Sequence, residues 1–285
     1  PIPATVSPPL PMSSSALRPM APPINNISVL GQGPANTIFR YVDGIGTNVT
    51  MTYNIRLAGT GNLLSGIRLD GDILGNDWWQ PVISVHLCSN SVVSNIWVKF
   101  PNTIDGRTAI SPLWVVGVDN VLVTRCLVDG GGIGGRTFNH DKFHNMTWLN
   151  CTFVNQLAQS GDRGMGMVIE GNSGTKVYNC VFANNANYAI SCWNPEASLP
   201  QATQTVANCL YWQPGQGFLD IRDPSRVVVL ESGTVNQDPL FETTAQGLPY
   251  SVPVALSQYG WNVVPEPAAM MLLALGAGWL ALRRR

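Results

Sequence analysis

Three charged residues fall at one repeating position of this 285-residue chain: Asp70, Lys99 and Asp129, separated by 29 and 30 residues. Stacked one strand spacing apart, they put an ammonium between two carboxylates, with the acids about 9 to 10 Å from each other. That separation is at the upper edge of the range for a carboxyl pair that cleaves a glycosidic bond with inversion, one acid protonating the leaving oxygen while the other activates water. The same groups suit an elimination, in which carboxylates position a divalent ion and a basic group removes the proton next to a uronate. They equally suit an exposed ion-pair ladder, which contributes little energy. Asp70, Lys99 and Asp129 are therefore the candidate catalytic residues, with all three readings open.

What must position them is a column of interior residues. Ile67, Ile96, Cys126, Cys151, Cys180 and Cys209 recur at separations of 29, 30, 25, 29 and 29 residues. Two residues after each stands another apolar side chain: Leu69, Val98, Val128, Phe153, Phe182 and Tyr211. Period-two alternation in segments such as Lys176-Val177-Tyr178-Asn179-Cys180-Val181-Phe182 places Tyr178, Cys180 and Phe182 on one face. A second strand precedes each of these, for example Ser84-Val85-His86-Leu87 and Ala189-Ile190-Ser191-Cys192. Such strands bury too little alone, and stacking them extends one shared core. The pattern predicts an all-β, right-handed parallel β-helix (solenoid) of roughly six or seven coils, with Gly, Asn and Asp at the corners.

The interior column also decides what its cysteines do. Stacked neighbours are close enough for a bridge by Cα distance, but parallel side chains are poorly aimed for its torsion. Packed free thiols are expected, and a linear column cannot converge on a metal ion. Asn95, Asn150, Asn179 and Asn208 precede the column, with Arg125 replacing asparagine once, and stacked asparagines are expected to hydrogen-bond along the axis.

Other polar candidates lie after Asp129. The glycine-rich run 130–135 leads into Arg136, His140 and His144, read as a loop on a rigid scaffold. No Gly-Lys-Ser/Thr follows, so the run is not a phosphate loop. Two histidines without a third ligand do not define a metal site, and neither metal nor cofactor is expected. Asp162 and Arg163 read as a turn pair and Glu170 as a solvent-facing strand end. Trp97 and Trp212, with Arg136, His140 and His144, are candidate substrate-binding residues, since aromatic faces stack on sugars as well as sealing loops. Trp97, Leu127, Val181 and Leu210 form an outward apolar stripe that a loop, a glycan or another protomer must cover.

The segment Asn26 to Phe39, a strand, a G-x-G turn at Gly31 to Gly33 and a second strand, resembles the early-coil pattern of the pectate-lyase-like superfamily of right-handed parallel β-helix proteins. Asp238-Pro239-Leu240-Phe241 resembles the motif that closes such domains. The resemblance spans about residues 25 to 242 and implies fold more than activity. No copy of the lyases' calcium-binding aspartates and catalytic arginine is present, nor are the paired-aspartate contexts of polygalacturonase-like hydrolases.

At the other end, Pro265-Glu266-Pro267 precedes an uncharged run, Ala268 to Leu282, and then Arg283-Arg284-Arg285. As a helix this run is about 22 Å long, short for a bilayer but workable with thinning. The three terminal arginines are expected to stay on the cytoplasmic side. This tail resembles the PEP-CTERM sorting signal, which implies an exosortase-type processing enzyme, a transient inner-membrane anchor, cleavage near the triplet and delivery to the surface or extracellular matrix of a Gram-negative bacterium. Export implies a signal peptide, none is visible from Pro1, and a trimmed amino terminus is the expectation.

The organisation expected is a proline-rich lead (1–24), the β-helix domain (25–242), a linker (243–263) and the sorting tail (264–285). Only 12% of residues are charged and the net charge is −1, so nucleic acid is not an expected partner. Three functions follow: binding or organising extracellular polysaccharide, a polysaccharide lyase or glycoside hydrolase, and a structural surface protein or adhesin. Whether the chain is an enzyme stays open.

Overall fold

The computed structural model describes residues 25–40, 55–70, 83–99, 113–116, 118–139, 145–157, 163–171, 174–194, 201–245 and 247–261. His140, His144, Asp162 and the sorting tail with Pro265, Glu266, Pro267, Arg283, Arg284 and Arg285 lie outside the described residues, as does the apolar helix expected there.

Alternating apolar residues make each coil a run of short strands. The first coils contribute β1 (Ser28–Leu30), β2 (Ile38–Arg40), β3 (Ile55–Thr60), β4 (Leu63–Asp70), β5 (Ile83–Ser89) and β6 (Val92–Lys99). The central coils add β7 (Leu113–Val116), β8 (Val121–Thr124), β9 (Leu127–Asp129), β10 (Ile133–Asn139), β11 (Met146–Leu149) and β12 (Thr152–Val154). The last add β13 (Met165–Gly171), β14 (Lys176–Tyr178), β15 (Val181–Ala183), β16 (Tyr188–Trp193), β17 (Ala202–Ala207), β18 (Leu210–Trp212), β19 (Gly217–Ile221), β20 (Val227–Ser232) and β21 (Val235–Asn236).

Every pairing between these strands is parallel, and each joins one coil to the next. A seven-stranded sheet runs β19-β16-β13-β10-β7-β5-β3. The other sheet is continuous through β4 and β6, then divides into a β8-β11-β14-β17-β20 branch and a β9-β12-β15-β18-β21 branch. The chain is an all-β parallel β-solenoid, as the 29-residue period implies.

The division falls at one corner. Asn95, Arg125, Asn150, Asn179 and Asn208 all have φ between 51° and 54°, and Gly66 and Gly233 continue the corner with φ of 72° and 67°. L-residues resist this left-handed region, and asparagine and glycine resist it least. Each corner amide still reaches the next coil: Asn150 N donates to Tyr178 O at 3.0 Å and Asn208 N to Ser232 O at 2.8 Å. The asparagine column thus sets the bend. Axial amide bonding falls on a different corner, where Asn120 Nδ2 donates to Asn90 Oδ1 at 2.7 Å and Asn145 Nδ2 to Asn120 Oδ1 at 3.4 Å. At the expected column, Asn150 Oδ1 is buried without a hydrogen-bond partner.

Just past the bend, Ile67, Ile96, Cys126, Cys151, Cys180 and Cys209 form the interior column, each at 1% exposure or less. All six cysteines of the chain are free and buried. The thiols of Cys126, Cys151, Cys180 and Cys209 donate to the carbonyl two residues back at 3.3, 3.5, 3.3 and 3.5 Å. Beside them Trp148, Phe153 and Phe182 fill the centre, with the two phenyl rings stacked at 5.2 Å.

The stretch expected as a linker packs along the outside of the solenoid as far as it is described. Glu242 and Ser251 exchange backbone hydrogen bonds at 2.8 and 3.1 Å, and Leu248, Val252, Tyr259 and Trp261 are buried. This strap covers the outward stripe of Trp97, Leu127, Val181 and Leu210, in two clusters. Thr152 interrupts the stripe, and its Oγ1 accepts from Trp261 N at 3.0 Å.

Candidate functional site

Outward positions at the end of β4, β6 and β9 carry the charged column. Asp70 is the register partner of Lys99, and Lys99 that of Asp129, as the period predicts. Val154, Ala183 and Trp212 continue it. Two strand spacings separate the carboxylates' backbones, about 9 to 10 Å.

The three groups live in different surroundings. Asp70 is held by Arg68, its neighbour on the same strand face, with Arg68 Nη2 2.9 Å from Asp70 Oδ2. Both side chains keep about a fifth of their surface, at 19% and 24%. The Arg68 guanidinium also lies 3.9 Å from the Trp97 ring centroid, and Lys99 Nζ lies 6.0 Å from it. Lys99 is exposed.

Asp129 is buried at 9% exposure beneath the strap. Asn155 Nδ2 donates to its Oδ1 at 2.8 Å and to Tyr250 Oη at 2.8 Å. Burial pushes the Asp129 carboxyl above its ordinary value, against the opposing pull of Asn155, Lys99, Tyr250 and Arg68. The Tyr250 phenol is raised too, chiefly by burial and then by the charge of Asp129. A carboxyl of this kind holds its proton at higher pH than an exposed one and can donate it.

The remaining candidates do not gather around this column. Trp97 is 5% exposed, with Trp261 at 6.2 Å and Arg68 at 3.9 Å, which leaves it no free face for a sugar. Trp212 is half-buried against the same cluster. Arg136 belongs to β10, on the seven-stranded sheet, where the glycine-rich run becomes strand from Ile133 onward. Its Nη2 lies 2.8 Å from each carboxylate oxygen of Glu170. Glu170 is 4% exposed, so the expectation of a solvent-facing strand end is corrected: register and a buried guanidinium draw it in.

A polar cluster that sequence reading missed lies on the same sheet as Arg136. Ser191 and Asp220 are register partners, and Ser191 Oγ donates to Asp220 Oδ2 at 2.8 Å. Arg222 Nε reaches Asp220 Oδ2 at 2.9 Å and Ser191 Oγ at 3.1 Å, with the guanidinium 5.3 Å from the Trp193 ring. The separation of Ser191 and Asp220, 29 residues, is the solenoid period itself, a signal available on this sheet as on the other. Tyr250 carried no such signal, because a strap residue has no place in the repeat. Among the described residues no three His, Cys, Asp or Glu side chains converge as a metal site.

No curated protein and no solved structure matches the chain. Residues 263–285 match the PEP-CTERM protein-sorting motif. The chain therefore joins a parallel β-solenoid to a signal for export and sorting to the cell surface by an exosortase-type processing enzyme.

Proposed function

We propose that this protein binds and organises an extracellular polysaccharide at the surface of a Gram-negative bacterium, after cleavage of its tail near the Pro265-Glu266-Pro267 triplet. The observation that carries the reading is the polar strip left open beside the strap: Arg68 and Asp70 half-buried and paired, Lys99 exposed. An arginine–carboxylate pair offers donors and acceptors to sugar hydroxyls, and Lys99 with Arg68 offers cations to a uronate. The near-neutral chain depends on such local pairing rather than on a broad charged field. Incubating the exported protein with uronate-containing and neutral polysaccharides should give retention that Lys99→Ala and Arg68→Ala each weaken. Equal retention by wild type and both variants rejects the strip.

A second reading, a lyase or glycoside hydrolase, is favoured by one observation, the raised carboxyl of Asp129 one coil from Lys99 and two from Asp70. Unsaturated products or new reducing ends that vanish in Asp129→Asn, with retention unchanged, select it. Retention without turnover across the panel, with and without calcium, selects binding alone. The adhesin reading loses its support in the stripe, which the strap covers.

A further inference from the structure

A short, strained turn joins the strap to the solenoid. Gln237 N donates to Tyr211 O at 3.2 Å at the end of the final coil, and Phe241 already packs in both clusters beneath the strap. Asp238, Pro239 and Leu240 lie between them and fold the strap back over earlier coils, with Asp238 Oδ1 accepting from Leu240 N at 2.9 Å. Leu240 stands at φ 50° and is 59% exposed, in a left-handed conformation that a bulky L-residue resists. Among the described residues no strand pairing joins 242–261 to a coil. Side chains and single hydrogen bonds seat it instead. Trp261 is buried, its N donates to Thr152 Oγ1 at 3.0 Å, Asn155 Nδ2 donates to Tyr250 Oη at 2.8 Å, and Gly260 N donates to Asn179 O at 2.8 Å. At Gly260, φ 68°, a Cβ would stand 2.7 Å from Thr152 Oγ1 and 2.9 Å from Val181 Cγ2, so the seat is shaped to this segment.

We infer that this seat is an interaction surface for a second copy of the chain: two molecules exchange straps, each laying residues 242–261 into the other's groove. The exchange keeps the contacts between strap and groove and asks only that the turn open, since identical elements trade places. Short hinges under strain favour such an exchange, and this one relaxes by it. Asp238, preceding Pro239, is biased toward extended backbone, and Leu240 leaves the left-handed region when the turn straightens. Fit names the occupant, because a groove with no room for a Cβ at position 260 and with Thr152, Asn155 and Asn179 matched to strap partners accepts another copy of the same segment. Each dimer then carries two Arg68–Asp70–Lys99 strips, and the exchange itself does not depend on what those strips bind.

Sedimentation of the exported protein over a concentration series should show a monomer–dimer equilibrium. Leu240→Gly, which relaxes the turn in the monomer, should raise the dissociation constant about tenfold or more. Deleting Pro239 and Leu240 leaves one residue for the reversal and should give dimers throughout the series. Two further variants separate strap from groove: Gly260→Val spoils the strap and keeps the groove, whereas Ala183→Glu places a charge in the groove floor and keeps the strap. Each alone should be monomeric, and their mixture should form a one-to-one heterodimer by native mass spectrometry, with the cysteines of both still shielded from alkylation as the sign of an intact solenoid. The proposal is overturned by a wild type that stays monomeric at every concentration, by a Leu240→Gly chain that dimerises as tightly as wild type, by Gly260→Val and Ala183→Glu each dimerising alone as well as wild type, or by intact variants whose mixture gives no heterodimer. The wild-type series and Leu240→Gly decide the matter even where the harsher variants fail to fold.

Discussion

At the scale of single residues, the cysteines show how far spacing alone can be read. Their period fixed the register of the charged column, and their interior, unbridged state follows from the parallel aim of stacked side chains. Burial pushes the thiols of Cys126 and Cys180 upward, and that of Cys192 up to about 12. The expected outcome is that none of the six alkylates in the native protein at pH 8, where a free thiolate would react, and that all six do in denaturant, as counted by mass. Arg125 is the other informative residue, standing at φ 52° in a column of asparagine and glycine. Left-handed backbone costs an ordinary L-residue about 1 kcal/mol, so Arg125→Asn should stabilise by about 0.5–1 kcal/mol in denaturant melts. The asparagine spacing was visible in the sequence, but its meaning was not. Periodicity shows that a residue recurs, whereas the backbone angle that makes it recur appears only in the structure.

At the scale of elements, the strap decides what the charged column can do. No repeat places residues 242–261, so a sequence reading sees a linker; its docking depends on Trp97, Leu127, Val181 and Leu210 having nothing else to cover them. The same docking buries Asp129 and splits the column into an open part and a shielded part. Burial raises the Asp129 carboxyl in the folded state relative to its ordinary value of 3.8. The protonated form is therefore favoured by folding: stability is highest below the ordinary value and falls as pH rises through the folded value. Asp129→Asn removes the ionisation and can keep an acceptor for Asn155. It should slow hydrogen exchange across Leu248 to Trp261 at pH 7, with the gain vanishing near pH 3. A gain of equal size at both pH values would show that desolvation of the carboxylate is not the cause.

At the scale of the whole molecule, each coil pairs only with its neighbours and the strap crosses several of them, so outside the strap stability is close to a sum along one axis. The charged column, the cysteines and the corner all belong to that axis, which is why they were legible from the sequence, while the Arg136–Glu170 pair was not. That pair spans strand positions two apart on adjacent coils, Arg136 facing Val168 and Glu170 facing Phe138, and the 32 residues between those coils depart from the 29-residue period by which the rest was read. A one-dimensional stack also predicts where damage spreads. Asn179 at φ 54° sits at a central corner, donates its N–H to Ala207 O and accepts from Gly260 N, whereas Gly233 at φ 67° is the same corner in the last coil. A valine at either position is forced into left-handed backbone at a cost on the order of 1–2 kcal/mol, and at 233 its Cβ also meets Asn208 Oδ1 at 2.4 Å. Asn179→Val should weaken exchange protection in the coils on both sides and loosen the strap, because its carbonyl holds Gly260. Gly233→Val should lose protection only from about Val227 onward, leaving Cys126, Cys151 and Cys180 unreactive. If both variants unfold the stack as one unit, the solenoid folds as a single cooperative domain and the nearest-neighbour description fails.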